Sequence, residues 1–354
     1  MHKPKILFIL KLRHQYNDNS QKLLKHSGLF NSATFVHDML NKHGYGSVLT
    51  QVVDNNEIDK KVHRHKPDIV IIEALWVVPE KFEVLRKLHP NVKWIIRLHS
   101  ELPFLANEGI AINWINKCII QPNVYVSANS EFAYRDLKKY LKASPVKGLE
   151  KKLLYLPNYY PTQKHAIDSR VLTQGDEINV GCFGAIRPMK NHLLQAAAAV
   201  DFAEQRGLKC KFHINSGRVE ARGEEVLKNL RAFFAGLGDK HELVEHGWLD
   251  RGEFLRLVRK MDIGMQVSLS ETFNIVSADF VSQDVPIVTS SEVGWMPKFF
   301  TAKATDSASI VRAMNRTMWY DNHFIWLEWQ WKAMKRYVNK SEKIWLSTLP
   351  QLPN

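Results

Sequence analysis

Three stretches of this 354-residue chain carry residue types that could do chemistry. In the first, residues 268–288, Glu271 and Asp279 are separated by seven residues and followed by Val285-Pro286-Ile287-Val288. An ionised carboxylate only accepts hydrogen bonds, so two of them suit a ligand rich in hydroxyls, such as a ribose and a hexose. The second is Phe183-Gly184-Ala185-Ile186-Arg187-Pro188-Met189-Lys190-Asn191. Gly184 allows a close backbone approach, and Arg187 and Lys190 put two cations where a helix should open. Free N–H groups at a helix start already favour an anion, so the stretch suits a diphosphate on physical grounds. A helix start with solvated charges is the plainer alternative. The third is Arg97-Leu98-His99-Ser100-Glu101, where the histidine either does chemistry or bonds a neighbour. There is no Asp-x-Asp, no Cys/His cluster with metal spacing and no Gly-x-Ser-x-Gly elbow. The pattern therefore offers neither a dedicated metal site nor that type of hydrolase.

These residues need elements to position them. Strands are expected at 5–12, 47–53, 68–73, 92–98, 124–128 and 151–156. Helices are expected at 33–43 (after a loop at 28–32), 55–65, 79–88, 102–120 and 131–141, the last capped by Ser130. That alternation is the signature of a parallel sheet with helices on both faces. Residues 159–174 are polar without a strong period and read as a linker. A second series follows, with strands at 178–183, 209–215, 242–246 and 263–267 and helices at 190–206, 220–236, 250–261 and 307–319. Glu271 then leaves a strand end, Asp279 sits in the first or second turn of the next helix, and another strand follows. Ligands of open α/β sheets bind at the carboxyl ends of strands and at helix N-termini. From Asp321 the chain turns aromatic, with Phe324, Trp326, Trp329, Trp331, Tyr337 and Trp345.

A hydrophobic content of 45% with 24% charged residues is that of a globular protein, and a chain of this length suggests two domains. No run of 18 apolar residues occurs, so no transmembrane helix is expected. The apolar run 6–10 is short and reads as a first strand rather than a leader. Cys118, Cys182 and Cys210 are scattered, which suits core packing and a reducing cytoplasm. The net charge is +13 and uneven: residues 1–157 hold 24 Lys+Arg against 14 Asp+Glu, a net of +10. That points to an acidic partner for the first half (nucleic acid, an anionic membrane surface or an anionic glycan), or simply to a lysine-rich solvated surface.

Together, the two strand–helix halves, the Gly…Arg…Lys turn and the acid-x7-acid stretch before Val-Pro-Ile-Val resemble the retaining GT-B glycosyltransferases of the family-four type. The resemblance is best over residues 178–290. It implies an α/β GT-B fold: two Rossmann-like domains facing across a cleft, with a C-terminal helix at about 321–346 crossing back to the first. Residues 1–157 would bind the acceptor and 175–320 the nucleotide-sugar donor, with a UDP-sugar expected and no obligatory cofactor or metal. Residue by residue, the resemblance assigns Arg187 and Lys190 to the diphosphate, Glu271 to the transferred sugar, Asp279 to the ribose and His99 to the sugar's vicinity. Backbone N–H groups of Asn274, Ile275 and Val276 would meet phosphate or sugar, and Gly28 and Gly184 would approach the diphosphate. Three positions depart from the family pattern: Ala185 where it has Arg, Asp279 where it has Glu, and a single Gly28 where it has two glycines.

The basic first half suggests duplex DNA as acceptor, through 5-hydroxymethylcytosine, as in phage enzymes of this fold acting in a bacterial cytoplasm. Such an enzyme reaches the major groove or flips the base. Arg13, Lys22 and Lys25 are the candidate phosphate contacts, with Glu101 as a further acceptor contact. A lipopolysaccharide or other cell-surface glycan, reached by peripheral membrane contact, is the second acceptor class. A non-catalytic nucleic-acid-binding protein on the same scaffold is the third reading, and an epimerase of the same fold the weakest.

Overall fold

Two runs of alternating strands and helices build two separate parallel sheets, as the computed structural model describes for residues 3–12, 28–162, 175–318 and 323–352. The chain divides into two compact units. One comprises Met1–Pro161 with Val338–Asn354, and the other Thr162–Tyr337.

In the first unit the strands are β1 (Ile6–Lys11), β2 (Ser47–Val52), β3 (Ile69–Glu73), β4 (Lys93–Leu98), β5 (Val124–Ala128) and β6 (Leu153–Tyr155). Their spatial order is β2-β1-β3-β4-β5-β6, all parallel. Strands such as Ile69-Val70-Ile71-Ile72 are continuous apolar runs because both faces are covered. Leu7, Ile9, Val70, Ile72, Trp94 and Ile96 pack on one side. There they meet α2 (Ile58–His65), α3 (Pro79–Leu88), α5 (Ala111–Ile119) and α6 (Glu131–Lys142) through residues such as Val62, Phe82, Ile115 and Leu137. Phe8, Ile69, Ile71 and Ile95 point to the other face, against α1 (Gly28–Lys42) and the end of α12 (His323–Thr348). Trp345 closes that core, fully buried, with its indole N–H donating to the Pro157 carbonyl at 2.7 Å.

In the second unit the strands are β7 (Glu177–Gly181), β8 (Lys209–Asn215), β9 (Glu242–His246), β10 (Ile263–Gln266), β11 (Ile287–Ser290) and β12 (Thr301–Ala302). The order is β12-β11-β10-β7-β8-β9. The strand order reverses between β7 and β10, and in open α/β sheets such a reversal leaves a crevice at the carboxyl ends of the two strands. Both chemistry-bearing stretches of this unit leave from those two strands. The helices are α7 (His192–Glu204), α8 (Gly223–Leu237), α9 (Arg251–Val258), α10 (Ile275–Ser282) and α11 (Ser307–Thr317), the last N-capped by Asp306. Trp326 and Trp329 pack with Phe299 and Phe300, so the aromatic tail splits its large side chains between two clusters.

The expected α/β architecture of two Rossmann-like halves is borne out, and several boundaries move. Helix α1 begins at Gly28 rather than 33, because Leu29, Ala33, Val36 and Leu40 extend the helical period backwards. The helix expected at 102–120 is two: α4 (Leu102–Leu105), with Pro103 in its first turn, and α5, parted by a turn through Asn107 and Gly109. The expected strand 151–156 shortens to β6 behind a 3-10 turn at Leu149–Lys152. The helix expected from Lys190 opens at His192. Pro188 sets a 3-10 turn, Pro188–Lys190, and Asn191 follows in the left-handed region at φ 59°.

Candidate functional site

The site in the second unit begins with a glycine pair. Gly181 on β7 and Gly264 on β10 are direct partners, and a Cβ on either would lie within 2.8 Å of the Phe280 ring. Their bare backbones let that ring, on α10, lie flat on the sheet. Phe183 stacks on it at 5.8 Å. Helix α10 is therefore seated close to the β7 exit, and Asp279 beside Phe280 is 2% exposed.

Polar side chains then tie the two strand exits together. Gln266 donates to the Phe183 carbonyl at 2.8 Å and accepts from the Asn274 amide at 2.8 Å. Asn274, left-handed at φ 56°, caps α10 by accepting from the Ser277 N–H. The N–H groups of Ile275 and Val276 belong to the same first turn. Gln195, fully buried on α7, donates to the Lys190 carbonyl and accepts from the Val267 N–H, both at 2.7 Å. Asn191 reaches the Val267 carbonyl at 3.1 Å, and the Leu269 N–H reaches the Met189 carbonyl at 2.9 Å. These bonds fix the Arg187–Asn191 turn against the chain leaving β10.

The result is a direct ion pair between Lys190 and Glu271, 9% and 8% exposed. Arg187 lies 3.9 Å from Glu220, and Arg218 binds the same acid at 2.5 Å. Gly184 adopts φ 116°, a conformation open to glycine, and its N–H donates to Asn215 at 3.1 Å. Asp279 accepts from Arg251, at the start of α9, at 2.8 Å. His192, 1% exposed, opens α7. Burial, then the charges of Lys190 and Arg187, hold its pKa down at about 3, so the imidazole is neutral.

A second cluster sits at the carboxyl ends of β3, β4 and β5 in the first unit. Glu73 and Arg97 are fully buried and paired at 3.2 Å. Arg97 spends its remaining donors on the carbonyls of Leu156 and Pro157 and on Asn158. His99 also binds Glu73 through Nε2, while Asn129 meets Nδ1 at 3.3 Å. Asn129 donates to Nδ1, so Nε2 carries the proton that Glu73 accepts. Burial pushes the Glu73 carboxyl up, but Arg97 and His99 outweigh it and the net shift is downward. Burial depresses His99, which Glu73 only partly offsets. Glu101, 5% exposed, accepts from the Ser130 hydroxyl, which also caps α6. Gly28 is the first residue of α1. Arg13, Lys22 and Lys25 lie outside the described residues.

Of the expected residues, Gly184, Arg187, Lys190, Glu271, Asn274, Ile275, Val276 and Asp279 thus gather at the β7 and β10 exits of one unit, while Gly28, His99 and Glu101 belong to the other. Sequence reasoning overlooked Glu73, Gln195, Gln266 and Arg251. Glu73 and Gln195 left a signal, a lone acid closing an apolar strand and a lone glutamine in an alanine-rich helix. Arg251 left none. Among the described residues no three His, Cys, Asp or Glu side chains gather as around a metal ion, and no helix is long and apolar enough to cross a membrane.

No family model matches the chain, and no curated protein does. Solved structures do. Anabaena HepE, solved with UDP and glucose, superposes with a TM-score of 0.67 at 13% identity, covering 99% of this chain and 100% of that one. A UDP-forming α,α-trehalose-phosphate synthase from Burkholderia vietnamiensis gives 0.70 at 10% identity, over 99% and 97%. The fold is GT-B. A trehalose-6-phosphate synthase studied for glycosyl transfer with retention gives 0.64 at 14% identity, over 84% and 78%. The GT-B fold accounts for two six-stranded parallel sheets in one chain, and the second sheet has the 3-2-1-4-5-6 order of a doubly wound Rossmann sheet.

Proposed function

We propose that this protein transfers a sugar from a nucleotide diphosphate sugar, with UDP as the expected nucleotide, and retains the anomeric configuration. The Lys190–Glu271 pair carries the reading, because it brings a cation and a hydroxyl-binding acid together beside the Gly184 turn and the start of α10. In this role Arg187 and Lys190 meet the donor diphosphate, and the charge that builds on the departing nucleotide is stabilised by fixed cations and N–H groups. Glu271 accepts from hydroxyls of the transferred sugar. Asp279, oriented by Arg251, accepts from the ribose. Asn274, Ile275 and Val276 offer backbone N–H groups. His99, held neutral at the end of β4 in the first unit, is the residue that the family resemblance assigns to the sugar's vicinity. The similar solved proteins, described with UDP, glucose and retention, support the donor class.

For the acceptor, the +10 charge of residues 1–157 favours a polyanion, and hydroxymethylcytosine in duplex DNA is the reading we carry forward. Solved neighbours named trehalose-phosphate synthases make a phosphorylated sugar, so a hexose phosphate is the acceptor to set beside it. A lipopolysaccharide-type glycan is the third. Mass spectrometry of each acceptor after incubation with a panel of UDP- and GDP-sugars tests both halves of the proposal. A hexose added to hydroxymethylated DNA alone is the expected result. Addition to hexose phosphate or glycan alone overturns the DNA reading, and no donor turnover overturns glycosyl transfer.

A further inference from the structure

Each cation named at the β7 and β10 exits is engaged by an acid: Lys190 by Glu271, Arg187 and Arg218 by the one Glu220, and Arg251 by Asp279. One more acid stands there. Glu292 follows β11, whose register with β10 pairs Thr289 with Gln266, so Glu292 and Glu271 leave the same edge of the sheet from neighbouring strands. The segment carrying it is fixed to the Glu271 loop. The Trp295 indole N–H donates to the Phe273 carbonyl at 2.7 Å, and their rings lie 5.9 Å apart. Among the described residues Glu292 has no hydrogen bond and no ion pair. Burial, then the Glu271 charge, push its carboxyl pKa up, as expected of an acid close to a like charge. Two fully buried hydroxyls at the same exits, Ser268 and Ser277, have no hydrogen-bond partner among the described residues. The half-buried Glu292 carboxylate, unpaired among the described residues, suits a ligand that offers it a hydroxyl.

We infer that Glu292 is a specificity-determining residue for the donor sugar: its carboxylate, unpaired among the described residues, selects an uncharged or amino sugar and rejects a sugar bearing its own carboxylate. The inference rests on the glycosyl-transfer reading. Lys190 is already shared between Glu271 and, in the proposed role, the donor diphosphate, so a sugar carboxylate gains no cation of its own from it. A uronic acid in this corner meets Glu292 as a like charge at low effective dielectric, whereas a neutral hexose offers it a hydroxyl.

UDP-glucose and UDP-glucuronic acid differ at C6 alone, a hydroxymethyl against a carboxylate, and make the test. For wild type, Glu292→Gln and Glu292→Asp, kcat/KM is measured for both donors by release of UDP, with thermal melting as the check on folding. Wild type is expected to prefer UDP-glucose. Glu292→Gln should narrow that preference by about tenfold or more, roughly the effect of removing one close like charge, and the charge-conserving Glu292→Asp should leave it nearly unchanged. A ratio that stays the same in Glu292→Gln overturns the role of Glu292 while leaving glycosyl transfer intact. A wild type that turns over no nucleotide sugar removes the transfer reading, and this inference falls with it.

Discussion

Lys190 and Glu271 each bury a charge that the other makes tolerable, and the role proposed for them in transfer predicts opposite signatures in stability and in activity. Removing one partner of a buried pair leaves the other uncompensated, at a cost of about 3–5 kcal/mol. Lys190→Ala should therefore lower the urea midpoint sharply, and Lys190→Ala with Glu271→Ala should recover most of that loss. Activity should behave otherwise. Both variants should fall by roughly two or more orders of magnitude, since a lost electrostatic stabiliser is not restored by deleting its partner. Near-wild-type turnover in Lys190→Ala would end the assignment. His192 gives the pH counterpart. Its folded pKa, about 3, lies below the ordinary 6.5, so the unfolded chain takes a proton that the folded one refuses. Stability is then full above pH 6.5 and declines as pH falls toward 3, and His213, held at about 4 chiefly by burial, adds to the decline. His192→Leu keeps the bulk and removes two buried ring nitrogens that lack partners among the described residues. It should be no less stable at pH 7 and lose less stability between pH 7 and pH 5. Parallel pH profiles for the two proteins would show that His192 does not set the slope.

Two glycines of one helix separate positioning from propensity. A Cβ at Gly223, the first residue of α8, would lie 2.0 Å from the Ile186 carbonyl oxygen, on the turn that carries Arg187. A Cβ at Gly236, near the other end of α8, would meet nothing within 4 Å. Gly223→Ala should cost about 1–3 kcal/mol by overpacking and raise KM for the donor, while Gly236→Ala should stabilise by about 0.5–1 kcal/mol and leave kinetics alone. Equal effects at the two positions would mean that the 184–190 turn does not lean on α8. The same elements show what the sequence discloses. Strands β5, β8 and β9 match their expected limits: β5 is buried along its whole length, and β8 and the edge strand β9 are short β-prone segments that give way to turn residues. That Lys190, Glu271 and Asp279 lie at strand exits and helix starts is legible from residue type and spacing. The bonds that fix the surrounding turns are not: those of Gln266 and Gln195 depend on which strand lies beside which, and strand order is a tertiary fact. The start of α7 was misplaced because Asn191 hides a left-handed turn inside an otherwise helical stretch.

At the scale of the whole chain, charge is what remains to be explained, since a donor site needs only a few local cations. Residues 1–157 carry a net of +10 and residues 158–354, with 25 Lys+Arg against 22 Asp+Glu, a net of +3. Helix α6 and the segment after it contribute exposed Lys139, Lys142, Lys147 and Lys151. If a polyanion is the acceptor, each phosphate left without its cation should flatten the dependence of log affinity on log salt by about 0.9. Changing these four lysines to glutamine should weaken duplex DNA binding and reduce that slope by as much as about 3–4, with UDP-sugar affinity unchanged. The matched set in the second unit, exposed Lys228, Lys240, Lys298 and Lys303, carries the same number of charges and should change neither quantity. Binding assayed from about 50 to 200 mM salt spans the range where counterion release dominates. Equal losses from the two sets would reduce the charge asymmetry to general attraction. No salt dependence at all would turn the search toward a small anionic acceptor, for which one or two fixed cations suffice.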